Sequence, residues 1–179
     1  NRYLVRNLTK KNYRCIISTR KPYNLGYLKT QATPGAIELL EWNPNNFAEL
    51  KEAIKNSDIV INLIGILYET RKQKFYDIHT KIPEVIAKIC SDSDVKKFIS
   101  ISAIGASENS KSLYQKSKYQ GEVKALNNFK NTVIIRPSVV TGTEDNFTNL
   151  FAKLSILPII PIVGMNYKFQ PILVTDVAD

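Results

Sequence analysis

Three side chains near the middle of the chain have the types and spacing for proton transfer. Tyr114 and Lys118 are four residues apart, which places both on one face of any helix that carries them. Ser102 lies twelve residues upstream of Tyr114, at the end of an apolar, β-branched run. A turn after that run, followed by a helix start, gathers hydroxyl, phenol and ammonium at the carboxyl end of a strand. That edge is where open α/β sheets hold ligands. A nearby ammonium favours phenolate over phenol and lowers a pKa of about 10 toward the range of a general acid or base. Ser102 would hydrogen-bond a substrate oxygen or the phenol itself. The plain alternative is an ordinary surface helix start.

The Tyr-x-x-x-Lys spacing is weak by itself, because nine Tyr and nineteen Lys produce about one match by chance. A second match, Tyr68 to Lys72, follows directly on an apolar run without an upstream hydroxyl, and reads as a loop coincidence. The single histidine, His79, sits in a helix-like stretch without a visible Ser/Asp or metal partner set, which argues against a catalytic base. Trp42 reads as packing surface and not as a recognition aromatic. Glu122, four residues after Lys118, reads as its surface partner on the helix. Cys15 and Cys90 fit no metal-ligand or redox spacing and read as buried thiols of a reducing compartment, so no metal site is expected.

The elements that must position these residues are legible. Short β-branched runs alternate with stretches of helical spacing, the pattern of βαβ units in an α/β fold with a mostly parallel, doubly wound sheet. Strands are expected over Arg14 to Thr19, Ala36 to Trp42, Asp58 to Leu67, Lys97 to Ser102 and Thr132 to Arg136. The third run is nearly continuous in Ile, Val and Leu, as in a central strand covered on both faces. Helices are expected after the capping Asn45 and Asn46 with Phe47, Leu50 and Ile54 as a stripe, across Phe75 to Ile89 with a kink or restart at Pro83, from Leu113 to Leu126, and from Phe147 to Leu154. The chain opens in what reads as a first helix, with Tyr3, Leu4 and Leu8 on one side, so the first strand and Gly-rich turn of a Rossmann-type sheet are expected to be missing. Residues 1–142 then form a nucleotide-binding domain and 143–179 the start of a small C-terminal lobe, with a Pro-punctuated apolar run from Ile156 to Val163.

The formal net charge of +9 is unevenly spread: residues 1–30 hold eight Lys or Arg and no Asp or Glu. That segment is a solvated lysine-rich face or a partner for an anion, whether nucleotide phosphate, anionic membrane surface or acidic protein. Aromatic residues do not interleave with the basic ones in the way that stacks single-stranded bases, so nucleic acid is not expected. No apolar stretch approaches the roughly 18 residues of a membrane-spanning helix, and no charged-then-apolar leader opens the chain. A soluble, intracellular protein is the expectation.

Four strings in order, Ser102-Ala-Ile-Gly-Ala106, Tyr114-Gln-Lys-Ser-Lys118-Tyr-Gln-Gly-Glu122, Arg136-Pro-Ser-Val-Val-Thr-Gly142 and Phe169-Gln-Pro-Ile-Leu-Val-Thr-Asp-Val-Ala178, resemble the atypical extended short-chain dehydrogenases. Together with Asn62-Leu-Ile-Gly-Ile-Leu67 the likeness covers nearly the whole chain. Within that group it is nearest to the NAD(P)H-binding accessory subunits of respiratory complex I and their bacterial homologues, often described as epimerase-like.

The resemblance implies a set of cofactor contacts. The family's glycine loop would precede residue 2. Thr19, Arg20 and Lys21 end the second strand where NAD-preferring relatives carry an acidic residue for the ribose hydroxyl, and cations there suit a 2′-phosphate, so NADP(H) is favoured over NAD(H). Asn43 stands where relatives often place an Asp beside the adenine. Asn62 and Gly65 would line the cofactor, Tyr114 and Lys118 would touch it, and Pro137, Val139 and Val140 would meet the nicotinamide end. Two functions follow from the likeness. One is a cofactor-holding accessory or assembly subunit of complex I, in the cytoplasm or mitochondrial matrix and peripheral at the inner membrane. The other is an active epimerase, dehydratase or reductase using Ser102, Tyr114 and Lys118.

Overall fold

The computed structural model describes residues 2–44, 46–155 and 169–179. Helix α1 (Arg2–Lys10) leads into β1 (Cys15–Thr19), a 3-10 segment (Pro22–Gln31), β2 (Ile37–Glu41), α2 (Ala48–Lys55) and β3 (Ile59–Asn62). A π-helical turn (Tyr76–Lys81) runs straight into α3 (Ile82–Ser91), then come β4 (Lys97–Ile101), α4 (Leu113–Asn128) and β5 (Thr132–Ile135). Beyond β6 (Val140–Thr141) lie α5 (Asn146–Leu154), β7 (Ile172–Leu173) and α6 (Val174–Ala178). Among the described residues every pairing is parallel: β1 with β2 from Cys15 opposite Ile37, β3 with β4 from Ile59 opposite Lys97, β4 with β5 from Phe98 opposite Thr132, and β6 with β7. The α/β expectation and all five expected strands are present.

Helices pack on the β3–β4–β5 sheet because their sequences place an apolar stripe there. In α3, Ile82, Ile86 and Ile89 fall at i, i+4 and i+7, and all are buried. With Leu50 and Ile54 of α2, Phe98 of β4 and Ala125 of α4 they form the main core. A second core, Val5, Cys15, Leu28 and Ile37, lies between α1, the 3-10 segment and the β1–β2 pair. Trp42 is buried as expected, its indole N–H donating to the Asn46 carbonyl at 2.8 Å. Both cysteines are buried free thiols.

Helix α4 is different. The stripe it buries mixes polar and small residues: Ser117, Lys118, Gly121, Glu122 and Ala125. Gly121 permits this contact, since a Cβ there would stand 1.9 Å from the His79 carbonyl oxygen. The Ser112 hydroxyl accepts from the Gln115 N–H and fixes where α4 begins.

Three expectations need correction. The strand expected to run to Leu67 ends at Asn62, because the Asn62 side-chain oxygen accepts the Ile64 N–H at 3.1 Å and turns the backbone out of the ladder. Among the described residues β3 is an edge strand, not a central one. Ile59 is 44% exposed and Leu63 38%, so the continuous apolar run marks a face that these residues leave uncovered. The 3-10 segment after β1 is not foreseen in the sequence; Pro22, which fixes φ and lacks an N–H, stands at its start. Around Pro83 the pattern changes from π-turn to α3 while the backbone stays helical through Lys81 and Ile82. The run from Ile156 to Val163 lies outside the described residues.

Candidate functional site

Strand β4 delivers Ser102 one residue past its last paired position, with the Ser102 N–H donating to the Ile135 carbonyl at 2.7 Å. Its hydroxyl is buried and, among the described residues, has no hydrogen-bond partner. Buried polar groups are nearly always paired, so this hydroxyl keeps hydrogen-bonding capacity to spare at the strand's carboxyl edge. The following turn needs Gly105 at φ 81°, where a Cβ would also meet the Gln115 side chain at 2.6 Å. This close turn carries the chain from β4 back to the start of α4.

Helix α4 places Tyr114 and Lys118 on its inward face. The Lys118 ammonium donates to the Ile101 carbonyl at 3.2 Å, and burial lowers its pKa to about 8, opposed by the charge of Glu122. Lys118 is 8% exposed. A Cβ on Gly65 would stand 3.2 Å from Nζ, so Gly65 keeps this approach open. The Tyr114 ring packs edge-on against His79 at 5.2 Å and Phe75 at 5.8 Å. Its pKa is raised, not lowered, and burial is the cause. The Lys118 ammonium meets the Ile101 carbonyl, and burial is the one cause of the shift in the phenol. Ser102 does not bond the phenol.

His79, set aside from the sequence, is the hub of the cluster. It is 2% exposed. Its Nε2 accepts the Ile66 N–H at 3.0 Å, which leaves the proton on Nδ1 to donate to Ser117 Oγ at 2.9 Å. Ser117 Oγ in turn donates to the Tyr114 carbonyl at 2.8 Å. Burial and then the Lys118 charge push the His79 pKa down to about 4, so the ring is neutral at pH 7. It is a brace between the loop after β3 and helix α4. Sequence periodicity could not show this, because the partners are a backbone amide and a hydroxyl on distant segments.

Asn62, Ser102, His79, Lys118 and Glu122 line one cavity of about 10 Å³, roughly the room for one water. Asn62 is held there by its turn and by donating to Ser100 Oγ at 3.3 Å. Glu122, read from the sequence as a surface partner of Lys118, is buried and forms a two-pronged pair with the Arg136 guanidinium. It reaches Lys118 through its charge.

On the other flank of the π-turn lies a cleft of about 570 Å³. Arg20 and Asn43 line it, as do Arg71, Lys72, Ile78 and Lys81. Of the residues expected at the adenosine end, Arg20 and Asn43 thus share one cavity, whereas Thr19 and Lys21 line neither cavity. Thr19 instead builds the turn, its Oγ1 accepting from the Lys21 N–H at 3.4 Å. Pro137, Val139 and Val140 also line neither. The Pro137 carbonyl accepts the Ile104 N–H, Val139 the Ile172 N–H, and Val140 pairs with Ile172 in the β6–β7 ladder. Among the described residues no group of His, Cys, Asp and Glu could hold a metal ion.

Parallel strands with helices between them, an unpaired hydroxyl at a strand's carboxyl edge and a cationic cleft beside it define a Rossmann-type nucleotide-binding protein. The NAD(P)H-binding family model matches residues 2–148, and the chain belongs to that family. It is 35% identical over 180 residues to the mouse (Mus musculus) protein named NADH dehydrogenase (ubiquinone) 1 alpha subcomplex subunit 9, mitochondrial, covering 99% of this chain and 48% of the relative. The chain thus spans about half of that relative's length. Among solved structures it is similar to MoeE5 in complex with UDP-glucose and NAD, with TM-score 0.74, 15% identity and coverage of 98% of this chain and 64% of the other. It is also similar to the UDP-glucuronic acid 4-epimerase of Bacillus cereus in complex with NAD, with TM-score 0.65, 20% identity and coverage of 79% and 54%. At such identities the likeness is one of fold. Among the described residues no helix is long and apolar enough to cross a membrane.

Proposed function

We propose that this chain is the dinucleotide-holding part of an accessory or assembly subunit of respiratory NADH:quinone oxidoreductase, and that it prefers NADP(H) to NAD(H). The observation that carries the reading is the 35% identity, sustained over 99% of the chain, to a protein named as a subunit of that enzyme. A cofactor-holding role asks only for binding groups, and Asn62, Ser102 and Lys118 offer them around one cavity. Arg20, at the end of β1, is the residue offered for a 2′-phosphate, with Thr19 and Lys21 framing the turn. Asn43 would meet the adenine, Asn62 and Gly65 the middle of the cofactor, and Pro137, Val139 and Val140 the nicotinamide end. The compartment in this reading is the mitochondrial matrix or the cytoplasm, with peripheral attachment at the inner membrane.

Residues 1–142 are the nucleotide-binding domain in this proposal and 143–179 the start of a second lobe. Supporting the first of these, the parallel β1–β2 and β3–β4–β5 strands each lie beside their own core.

The second reading, an active oxidoreductase or epimerase, is favoured by Ser102 and Lys118 lining one cavity within reach of Tyr114's helix. There the bound dinucleotide supplies hydride transfer, Ser102 orients the substrate and Tyr114 holds the proton. The full-length protein distinguishes them. Retention of NADPH through purification, no turnover of nucleotide sugars or carbonyl compounds, and co-purification with respiratory-chain subunits are the expected results. Turnover that is abolished in Tyr114→Phe would overturn the accessory reading in favour of catalysis.

A further inference from the structure

We infer that Arg71 and Lys81 form the second wall of a 2′-phosphate pocket, opposite Arg20, and that they set the preference for NADP(H). The inference deepens the dinucleotide reading above and rests on it. The cleft of about 570 Å³ brings four cationic side chains, Arg20, Arg71, Lys72 and Lys81, to one space with a single carboxylate, Asp77. Among the described residues none of the four has an ion-pair partner. Four cations around a cavity that holds one carboxylate repel one another, and a dianion relieves that repulsion where a ribose hydroxyl does not. The volume falls within the range of small-ligand sites.

The second wall is held in place. Thr70 Oγ1 accepts the Lys72 and Gln73 N–H groups at 3.3 and 3.1 Å, and the Thr70 N–H donates to the Gln73 carbonyl at 3.0 Å, closing a tight turn at Arg71. Glu69 accepts the Phe75 N–H at 2.8 Å and ties that turn to the start of the π-turn, whose last residue is Lys81. The segment that reads in the sequence as a coincidental Tyr-x-x-x-Lys match therefore has a structural consequence: it holds Arg71 in the lining of the cleft that Arg20 also lines. Arg71 can give a phosphate two parallel hydrogen bonds, and Lys81 adds a point charge from a rigid helical turn.

The test measures dissociation constants of NADPH, NADH and 2′,5′-ADP for the full-length protein, its Arg71→Gln/Lys81→Gln variant and a Lys10→Gln/Lys11→Gln control that removes equal charge elsewhere. The expected result is a loss of at least about tenfold in NADPH and 2′,5′-ADP affinity in the first variant, with NADH within about twofold and the control unchanged. Equal losses for NADPH and NADH, or none for either, overturn the inference. So does a preference for NADPH that vanishes in Arg20→Gln yet survives in Arg71→Gln/Lys81→Gln, which leaves the cofactor reading standing. Wild-type protein that binds neither dinucleotide at millimolar concentration overturns both. All substituted side chains are exposed, and the thermal midpoint of each variant checks that the fold is kept.

Discussion

His79 and Ser117 lie 2.9 Å apart, on segments 38 residues distant in sequence, and their contact holds the π-turn against the helix that carries Tyr114 and Lys118. The same imidazole accepts the Ile66 N–H on its other nitrogen. One neutral ring thus fixes the relative position of the loop after β3 and of α4.

That neutrality has a pH signature. The folded protein holds the His79 pKa near 4 against an ordinary 6.5, so between those values the unfolded chain binds a proton that the folded one refuses. The contribution is fully present above about pH 6.5 and is lost as pH falls toward 4, by up to about 3 kcal/mol. Urea unfolding of the full-length protein at pH 7 and pH 4.5 checks this. His79→Gln should be less stable at pH 7 by about 2–3 kcal/mol, through lost packing and a broken brace. It should also show the smaller drop between the two pH values. Equal drops in wild type and variant would refute the assignment.

Two glycines separate folding from binding. In Gly121→Ala the new methyl would stand 1.9 Å from the His79 carbonyl oxygen, a backbone atom that cannot swing aside. We expect a loss of about 3 kcal/mol or more, with α4 displaced. In Gly65→Ala the methyl meets the flexible end of Lys118 at 3.2 Å. Stability should change by less than about 1 kcal/mol, while dinucleotide affinity falls. Thermal melts with and without NADPH measure both; a stable Gly121→Ala protein would mean that the two segments do not pack so closely.

The strands, the helices and the Ser102–Lys118 pair were legible because each depends on local periodicity or on one turn. Ile82, Ile86 and Ile89 announce the buried face of α3, and Ser112 announces the start of α4. His79, Glu122 and Arg71 were not legible, for a common reason. Their roles depend on which distant backbone group or cavity each one meets, and polar residues on a helix or in a loop look alike whether buried or solvated. Glu122 shows this: the i, i+4 spacing from Lys118 is visible, but the partner that satisfies it, Arg136, comes from the residue after β5. The apolar β3 run indicated a covered face, and it could not show which residues would cover it.

The Glu122–Arg136 pair is asymmetric, and its two halves should fail differently. Glu122 is 5% exposed, whereas the Arg136 side chain is 46% exposed. Removing the guanidinium in Arg136→Ala strands a buried carboxylate, at a cost of about 2–4 kcal/mol. Glu122→Gln keeps the shape and leaves the arginine to water, so about 1–2 kcal/mol is expected. Chemical denaturation gives the order, and a larger loss in Glu122→Gln than in Arg136→Ala would contradict the burial argument.

Lys118 should make binding and stability respond to alkali in opposite directions. Its folded pKa of about 8 lies below the ordinary 10.5, so burying the charged form penalises the fold up to about pH 8. As pH rises from about 8 to 10.5 the unfolded chain holds a proton that the folded one has released, and this group's contribution to stability increases. If the ammonium holds the ribose of a bound dinucleotide, affinity for NADPH instead falls over the same rise. Most of that fall should come between pH 7 and 9, where the folded lysine loses its charge. Lys118→Arg keeps a cation at every pH in that range and should flatten the binding profile. Lys118→Met should bind weakly throughout and lose the alkaline gain in stability. Titration of the full-length protein with NADPH at pH 7, 8 and 9, paired with unfolding curves at the same pH, reads both trends. A wild-type affinity that stays level from pH 7 to 9 would remove Lys118 from the cofactor site.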